Sequence, residues 1–340
     1  MKNWLKEKWA SRKSASTPRN PLVSIATIMV VVLLVLGFGV GWYWTSEPDV
    51  LWINDETPDG SKVIGFSTTD TMIRVAQTLL DKPGGYMTND VLPPSLFLDN
   101  IKNWEYGVLV QVRDLARVMR NDYSRSQSQS RENPNLAEAE PLFSFDNDSW
   151  LLPPTEREYR QGIEHLQQYR DTLVDTQDQE AQFYARADNL REWLAVVEKR
   201  LGGLSQQLTA SVGQIRVNTD LAGERAAESS TARSNDIDVK TPWLELDDRF
   251  YEARGAAWAL VHFLRAAEFD FREVLQDKNA VVSLRQIIRE LEASLSPLRS
   301  PVVLNGSGFS IFANHSLVMA SYLSRANAAV INLRELLDQG

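Results

Sequence analysis

Histidine supports metal binding and proton transfer near neutral pH more often than any other side chain, and this chain of 340 residues has only three. His165, His262 and His315 fall in three separate predicted helices. None has a second histidine four residues away, the spacing that places two ligands on one helix face. The chain also lacks cysteine, which excludes thiolate catalysis, cysteine-bound metals and disulfides. We therefore predict no metal site and no bound cofactor.

Recognisable catalytic motifs are missing as well. The chain has no HExxH, no Walker loop, no GxSxG nucleophile elbow and no dinucleotide glycine fingerprint. Carboxylate pairs such as Asp247 and Asp248 are predicted to lie on solvated helix starts, and residues 305–308 to form a plain turn. We predict no catalytic residue. A hydrolase of cell-wall glycan is the least favoured alternative, because it needs two carboxylates about 5–9.5 Å apart across a groove.

Binding is indicated instead by residues 53–106, where polar and aromatic side chains are dense in predicted loops. Loops held by a rigid scaffold are where binding residues tend to concentrate. The alternative is that the glycines and prolines here only shape two sharp helix–helix corners. The candidate interaction residues are Lys82, Gly84, Gly85, Tyr86, Asn89, Asp90, Asp99, Asn100, Trp104 and Glu105.

A long apolar stretch precedes these loops in the chain. It runs from Leu22 to Trp44 and carries no charge. As a helix its 23 residues would span roughly 34 Å, enough for a bilayer core of about 30 Å. A cleaved signal peptide is disfavoured, because its apolar region is about 7–15 residues long and precedes a small-residue cleavage site. We predict an uncleaved membrane helix at residues 21–44, with the lipid bilayer as a partner.

The flanking charges predict the orientation of this helix. Residues 1–20 form a basic tail with a net charge of +5, whereas five acidic residues precede the next basic residue, Lys62, on the other side. The positive-inside rule therefore places the N-terminus in the cytoplasm and the rest of the chain across the membrane. Within the helix, Gly37 and Gly41 have the GxxxG spacing that lets two helices approach closely, which would permit a homo-oligomer.

Charge also restricts the partners of the large domain. The whole chain has a net charge of −9, so residues 21–340 carry −14. An acidic domain repels the phosphates of nucleic acids, and we predict no nucleic-acid partner. The same charge should hold the domain away from anionic lipid surfaces.

Beyond a juxtamembrane linker at residues 45–66, hydrophobic residues recur at spacings of three and four, as in amphipathic helices. The fold class is therefore all-α: an elongated bundle of about six helices at residues 67–340, with flexible loops near 124–149 and 213–240. Ser67 to Asp70 resemble an N-cap. The main helices are predicted at residues 67–80, 95–123, 155–211, 242–274, 280–295 and 314–337, with 155–211 and 242–295 as antiparallel pairs.

The sequence of residues 81–107, DKPGGYMTND followed by VLPPSLFLDNIKNWEYG from residue 91, resembles an uncharacterised family of proteobacterial inner-membrane proteins. That family is defined only as a domain of unknown function, number twenty-three thirty-three. The resemblance extends over nearly the whole chain. It implies an inner membrane with the large domain in the periplasm, and it implies no activity.

Together these observations favour a single-span membrane protein that acts by binding. We expect a scaffold or accessory subunit of the cell envelope, whose partner is another envelope protein docking on exposed helix faces. The second hypothesis is a ligand-binding, sensor-like domain, which would need a cleft with convergent polar groups between helices.

Overall fold

The computed structural model describes residues 21–53, 55–127, 130–175, 180–217, 236–300, 302–308 and 311–339. Within these residues the protein is an all-α bundle, as predicted. The only strands in this part of the chain are β1 (Gln214–Val217) and β2 (Asp236–Val239), which form one short antiparallel pair. The centre of the loop predicted at residues 213–240 and the basic tail at residues 1–20 lie outside the described residues.

Ten α-helices are found in the described residues, nine of them after the apolar helix α1 rather than the six predicted. They are α1 (Pro21–Trp44), α2 (Phe66–Asp81), α3 (Asp99–Val118), α4 (Pro134–Phe143), α5 (Thr155–Val174), α6 (Ala187–Thr209), α7 (Leu246–Asp270), α8 (Arg272–Asp277), α9 (Val281–Ser294) and α10 (His315–Asp338).

The longest predicted helical stretch is divided in the structure. The stretch at 155–211 is split between α5 and α6, where its hydrophobic rhythm slips. These two helices do not form the predicted antiparallel pair, because α5 packs mainly on α2 and α4 whereas α6 packs mainly on α10. The other predicted pair, α7 with α9, is confirmed: Arg265 contacts Glu292 and Glu268 contacts Arg285, as expected for antiparallel helices.

The central contact of the bundle is between α3 and α7, which run in the same direction. Their backbones touch at two glycines. A Cβ on Gly107 would lie 2.0 Å from the carbonyl oxygen of Glu252, and a Cβ on Gly255 would lie 2.0 Å from that of Trp104. The rings of Trp104 and Trp258 also pack against each other beside this crossing, with centroids 5.2 Å apart and an interplanar angle of 56°. No other residue type fits at either glycine without moving a helix.

The two ends of the bundle differ in what is attached to them. We call the end with the starts of α3, α5 and α7 the α1 end, because Trp44 packs there against Gly84. The opposite end, which we call the distal end, holds the aromatic cluster of Tyr123, Phe183 and Phe271, with ring centroids 5.0–5.7 Å apart. Each loop therefore belongs to a defined end of the domain.

The start of α2 corrects a prediction about helix capping. The capping position is Gly65, with φ of 89°, and not a residue of the segment 67–70. Its free amides are satisfied from another helix by Asp270, which accepts from Gly65 N at 2.9 Å and from Thr68 N at 2.7 Å. Burial raises the pKa of Asp270 to about 6, against the opposing effect of these donors. A residue far away in sequence thus caps the helix.

Candidate functional site

Among the candidate interaction residues, Lys82 and Glu105 form a buried ion pair. Lys82 Nζ lies 2.5 Å from Glu105 Oε1, and both side chains are fully excluded from solvent. Glu105 also accepts from Met87 N at 2.9 Å and from Thr88 N at 2.8 Å. Burial raises the pKa of Glu105, and these partners oppose that rise. The pair therefore clamps the loop after α2 onto α3, and neither charge is available to a partner.

Tyr86 and Asn89 join this loop to the segment that precedes α5. The hydroxyl of Tyr86 donates to Asn147 O at 2.8 Å, and Asn89 Nδ2 donates to Ser149 O at 2.9 Å and to Glu156 Oε2 at 2.7 Å. Both side chains are buried, and burial raises the pKa of Tyr86. Two loops are thereby fixed side by side at the α1 end.

The other candidates divide between structural and exposed positions. Gly84 and Gly85 have φ of 87° and 75°, values that glycine adopts without strain. Asp90, Asp99 and Asn100 remain at least partly exposed. The remaining candidate, Trp104, is buried in the α3–α7 crossing. The structure therefore brings the ten residues together at one end, while most of them hold the fold.

The ten candidate residues leave out their large aliphatic and aromatic neighbours on the same loop. Val91, Leu92, Leu96 and Phe97 are all exposed on the loop between α2 and α3. The available signal was the run VLPPSLFL, in which large apolar residues occur beside two prolines, outside any helical rhythm. Exposed apolar side chains in a fixed loop indicate an interaction surface.

The segment between α1 and α2, predicted as a linker, packs along α7. Glu47 forms a two-point ion pair with Arg254, with Nε–Oε1 and Nη2–Oε2 distances of 2.7 and 2.6 Å. Further along, Asp49 O accepts from Trp258 Nε1 at 3.3 Å. The amide of Leu51 then donates to Nε2 of buried His262 at 2.8 Å. We call residues 45–53 the strap, because they hold the domain against the end of α1.

Helix α1 is long and apolar enough to cross a membrane, and its apolar stretch is not buried within the protein. Its last turns contact the domain. A Cβ on Gly41 would lie 3.6 Å from Leu98 Cδ2, whereas no atom lies within 4 Å of the same position on Gly37. One glycine of the GxxxG pair is therefore covered by the chain itself, so a dimer through both glycines would have to displace Leu98.

The three histidines occupy unrelated structural positions. His262 donates from Nδ1 to Trp258 O at 2.6 Å, and burial lowers its pKa to about 4. His315 Nδ1 accepts from Leu304 N at 3.0 Å, while His165 lies on α5. In the described ranges no three His, Asp or Glu side chains are grouped so that they could hold a metal ion.

Two clefts in the described part of the chain bear on the alternative functions. The first, of about 280 Å³, lies between α7, α9 and α10 and is lined by Phe250, Arg254, His315 and Tyr322 among others. The second, of about 190 Å³, is lined by three carboxylates, those of Asp55, Asp270 and Glu273. Asp55 pairs with Lys62 at 3.0 Å and Asp270 caps α2. Asp55 and Asp270 are thus engaged in holding the structure, which leaves no pair of free carboxylates among the described residues of this cleft and gives a glycan hydrolase no support.

A model of the protein family described as "uncharacterized protein conserved in bacteria (DUF2333)" matches residues 18–340. This match confirms the resemblance noted from residues 81–107. No curated protein and no solved structure matches the chain.

Proposed function

Because this chain belongs to that family of bacterial proteins, we propose that it is a membrane-anchored scaffold or accessory subunit of the cell envelope that acts by binding another protein. Helix α1 anchors it in the inner membrane, and the helical domain presents its outer helix faces to the partner. The basic residues before α1 and the acidic segment after it favour a cytoplasmic N-terminus and a periplasmic domain.

The observation that carries this proposal is the rigid attachment of the domain to α1 by the strap. A flexible tether would let a domain search the space near the membrane. Here an ion pair between buried Arg254 and half-buried Glu47, together with two further hydrogen bonds, fixes the domain at one position relative to the end of α1. A fixed helical body next to the membrane suits a subunit that holds a partner at a defined distance from the bilayer.

Site-specific photo-crosslinking in intact cells tests the proposal. A photoreactive amino acid is placed at exposed positions on three different helices, Glu164 on α5, Lys199 on α6 and Arg289 on α9. We expect one face to crosslink a single envelope protein, while the other positions serve as controls for random collision. Crosslinks from no face, or only between copies of this chain, would contradict the scaffold function.

The orientation is tested separately with single-cysteine variants, since the natural chain has no cysteine. A membrane-impermeant maleimide should label a cysteine at Gln276 in intact spheroplasts. A cysteine at Ser14 should react only after the membrane is opened. The reverse pattern would place the domain in the cytoplasm and refute the periplasmic assignment.

The cleft between α7, α9 and α10 supports a second candidate, a ligand-binding domain. Arg299 lines this cleft, is exposed, and has no ion-pair partner among the described residues, so it is available to an anionic ligand. The volume of about 280 Å³ suits a small molecule. Arg254 is already engaged by Glu47, which makes this candidate the weaker of the two. Protection of Arg299 from phenylglyoxal by small carboxylates or phosphate would support it, and unchanged reactivity would exclude it.

A further inference from the structure

The surface at the α1 end carries an inference of its own, which rests on the membrane anchoring proposed above. We propose that three loops at this end form an apolar plate that inserts into the interface of the lipid leaflet from which α1 emerges. The occupant is the bilayer itself, and not another protein. The plate comprises Val91, Leu92, Leu96, Phe97, Trp150, Leu151, Leu152, Trp243 and Leu244, all of them exposed.

The first loop of the plate is continuous with the apolar helix. Leu98 and Pro94 lie against Gly41 in the last turns of α1, so the neighbouring side chains of Leu96 and Phe97 stand at the level where the helix leaves the domain. Trp42 and Tyr43 of α1 are exposed at the same level. Trp and Tyr are enriched where a membrane helix meets the lipid headgroups.

The second and third loops are fixed at the same end by specific contacts. Trp150, Leu151 and Leu152 follow Ser149, whose carbonyl accepts from Asn89. Leu152 is 86% exposed, and its φ of 56° is a backbone conformation that residues other than glycine rarely adopt. The fold therefore keeps this leucine exposed in an unusual backbone conformation. Trp243 and Leu244, 80% and 77% exposed, precede α7 close to the start of α3.

The position of Trp243 and Leu244 follows from the parallel course of α3 and α7. Asn103 Nδ2, one turn into α3, donates to Asp248 Oδ1 at 2.6 Å. Tyr123, just beyond the end of α3, meets Phe271, just beyond the end of α7. The two helices therefore begin at the same end of the bundle, and the loop before α7 lies beside the loop before α3.

The distal end provides a comparison within the same domain. On its described loops and first helical turns, only Ile64 and Val282 are large apolar residues with comparable exposure. Both ends of an unanchored domain would be equally solvated, so exposed apolar residues would be expected at similar density on the two ends. Nine such residues at one end are not explained by solvation alone. Contiguous exposed apolar surface of this kind marks a contact with a membrane or a partner, and here α1 brings the bilayer to it.

The plate changes the expectation that charge would hold the domain away from lipid. Acidic residues such as Asp90, Asp99 and Asp247 lie beside the plate, so attraction to anionic headgroups cannot drive the contact. Burial of apolar side chains in the interface can drive the contact, because this term does not depend on the charge of the headgroup. We therefore expect the contact on zwitterionic lipid, with no gain from anionic lipid and no loss in high salt.

Single-cysteine variants of the full chain test the plate in vesicles of phosphatidylcholine, with or without phosphatidylglycerol. An environment-sensitive fluorophore is attached at Phe97→Cys, Leu151→Cys or Leu244→Cys, one in each loop. Gln276→Cys at the distal end is the exposed control, and Phe38→Cys within α1 is the lipid-buried control. Nitroxide-labelled lipids then report whether each fluorophore lies in the bilayer. Circular dichroism confirms that each variant retains its helices.

We expect nitroxide lipids to quench the three plate positions by about half or more, as for groups about 5–10 Å deep in the interface. Gln276→Cys should stay unquenched in both lipids. Quenching at Phe38→Cys with none at the plate positions would overturn the plate while leaving the anchoring intact. Absence of quenching at Phe38→Cys would refute the anchoring itself. A blue shift at the plate that increases with protein density, without lipid quenching, would assign the surface to a second copy and refute the lipid contact.

Discussion

Replacing Glu47 by Gln tests whether the strap fixes the domain to α1. The substitution keeps the size of the side chain and removes its charge. Arg254, whose side chain is 6% exposed, would lose its only ion-pair partner among the described residues. Its remaining acceptors are the carbonyls of Ser294, Leu295 and Ser296, at 3.1–3.3 Å. A buried guanidinium without its carboxylate is the cause of the expected loss.

The magnitude follows from the burial of the two partners. Breaking a fully buried ion pair by removing one partner costs about 3–5 kcal/mol. Glu47 is 23% exposed and lies at the edge of the domain, and glutamine retains one neutral hydrogen bond to Arg254. We therefore expect Glu47→Gln to lower the free energy of unfolding by about 2–3 kcal/mol.

Urea unfolding of the full chain in lipid nanodiscs, followed by tryptophan fluorescence, measures this loss as a lower midpoint at unchanged slope. Asp49→Asn is the matched control. It makes the same chemical change two residues away, at an exposed carboxylate whose side chain has no hydrogen bond to any described residue, and should cost less than about 0.5 kcal/mol. Equal midpoints for the two variants would refute the assignment of the strap to the Arg254–Glu47 pair.

Three further predictions concern the interior. Gly107→Ala should lower stability by about 3 kcal/mol or more, since its Cβ would overlap a backbone carbonyl. Gly203→Ala is the matched control: its Cβ would lie in open space on α6, and the change should raise the free energy of unfolding by up to about 1 kcal/mol. Equal effects of the two substitutions on urea unfolding would contradict the close contact between α3 and α7. Asp270→Asn should lower stability by about 2 kcal/mol, because it removes a carboxylate oxygen that caps α2. Amide hydrogen exchange should then increase first at the N-terminus of α2. An unchanged exchange rate there would argue against the cap. Below pH 6.5 the unfolded state protonates His262 more readily than the folded state, in which the pKa of His262 is about 4, so acidification to pH 4 removes about 3 kcal/mol that this one residue contributes to stability. Asp270 acts in the opposite direction, because its pKa of about 6 in the folded state means that the folded protein binds this proton first and is stabilised as the pH falls. Asp270→Asn should therefore make the free energy of unfolding fall more steeply between pH 6.5 and 4. An unchanged pH dependence would refute this opposing contribution of Asp270.

The sequence predicted the helices well because their apolar rhythm is local. The stretch around Trp258 has apolar or small residues on nearly every face, as expected for a helix at the centre of a bundle. Pairing was less accessible. The separation of α5 from α6 depends on which helix each one meets, and the glycine crossing at Gly107 is a contact between distant segments. Neither leaves a periodic signal in the chain.

The candidate site shows the same division. The density of polar and aromatic residues near residues 82–105 is visible from composition. The burial of Lys82 with Glu105 was not, because composition cannot show that two charges face each other. The strap was hidden for the same reason, since Glu47 and Arg254 are 207 positions apart. The apolar residues of the plate are visible in the sequence, but their exposure is not, because a run of apolar residues does not show which of them the fold covers.

The most direct test of the scaffold function is quantitative purification of the tagged protein, expressed at its native level and crosslinked in cells before mild detergent extraction. The account predicts one envelope protein recovered in an amount comparable to the tagged chain, with crosslinks on a single helix face. It also predicts that Glu47→Gln, which loosens the domain from α1, reduces that recovery while Asp49→Asn does not. Recovery of the tagged protein alone, at equal yield for both variants, would contradict the account.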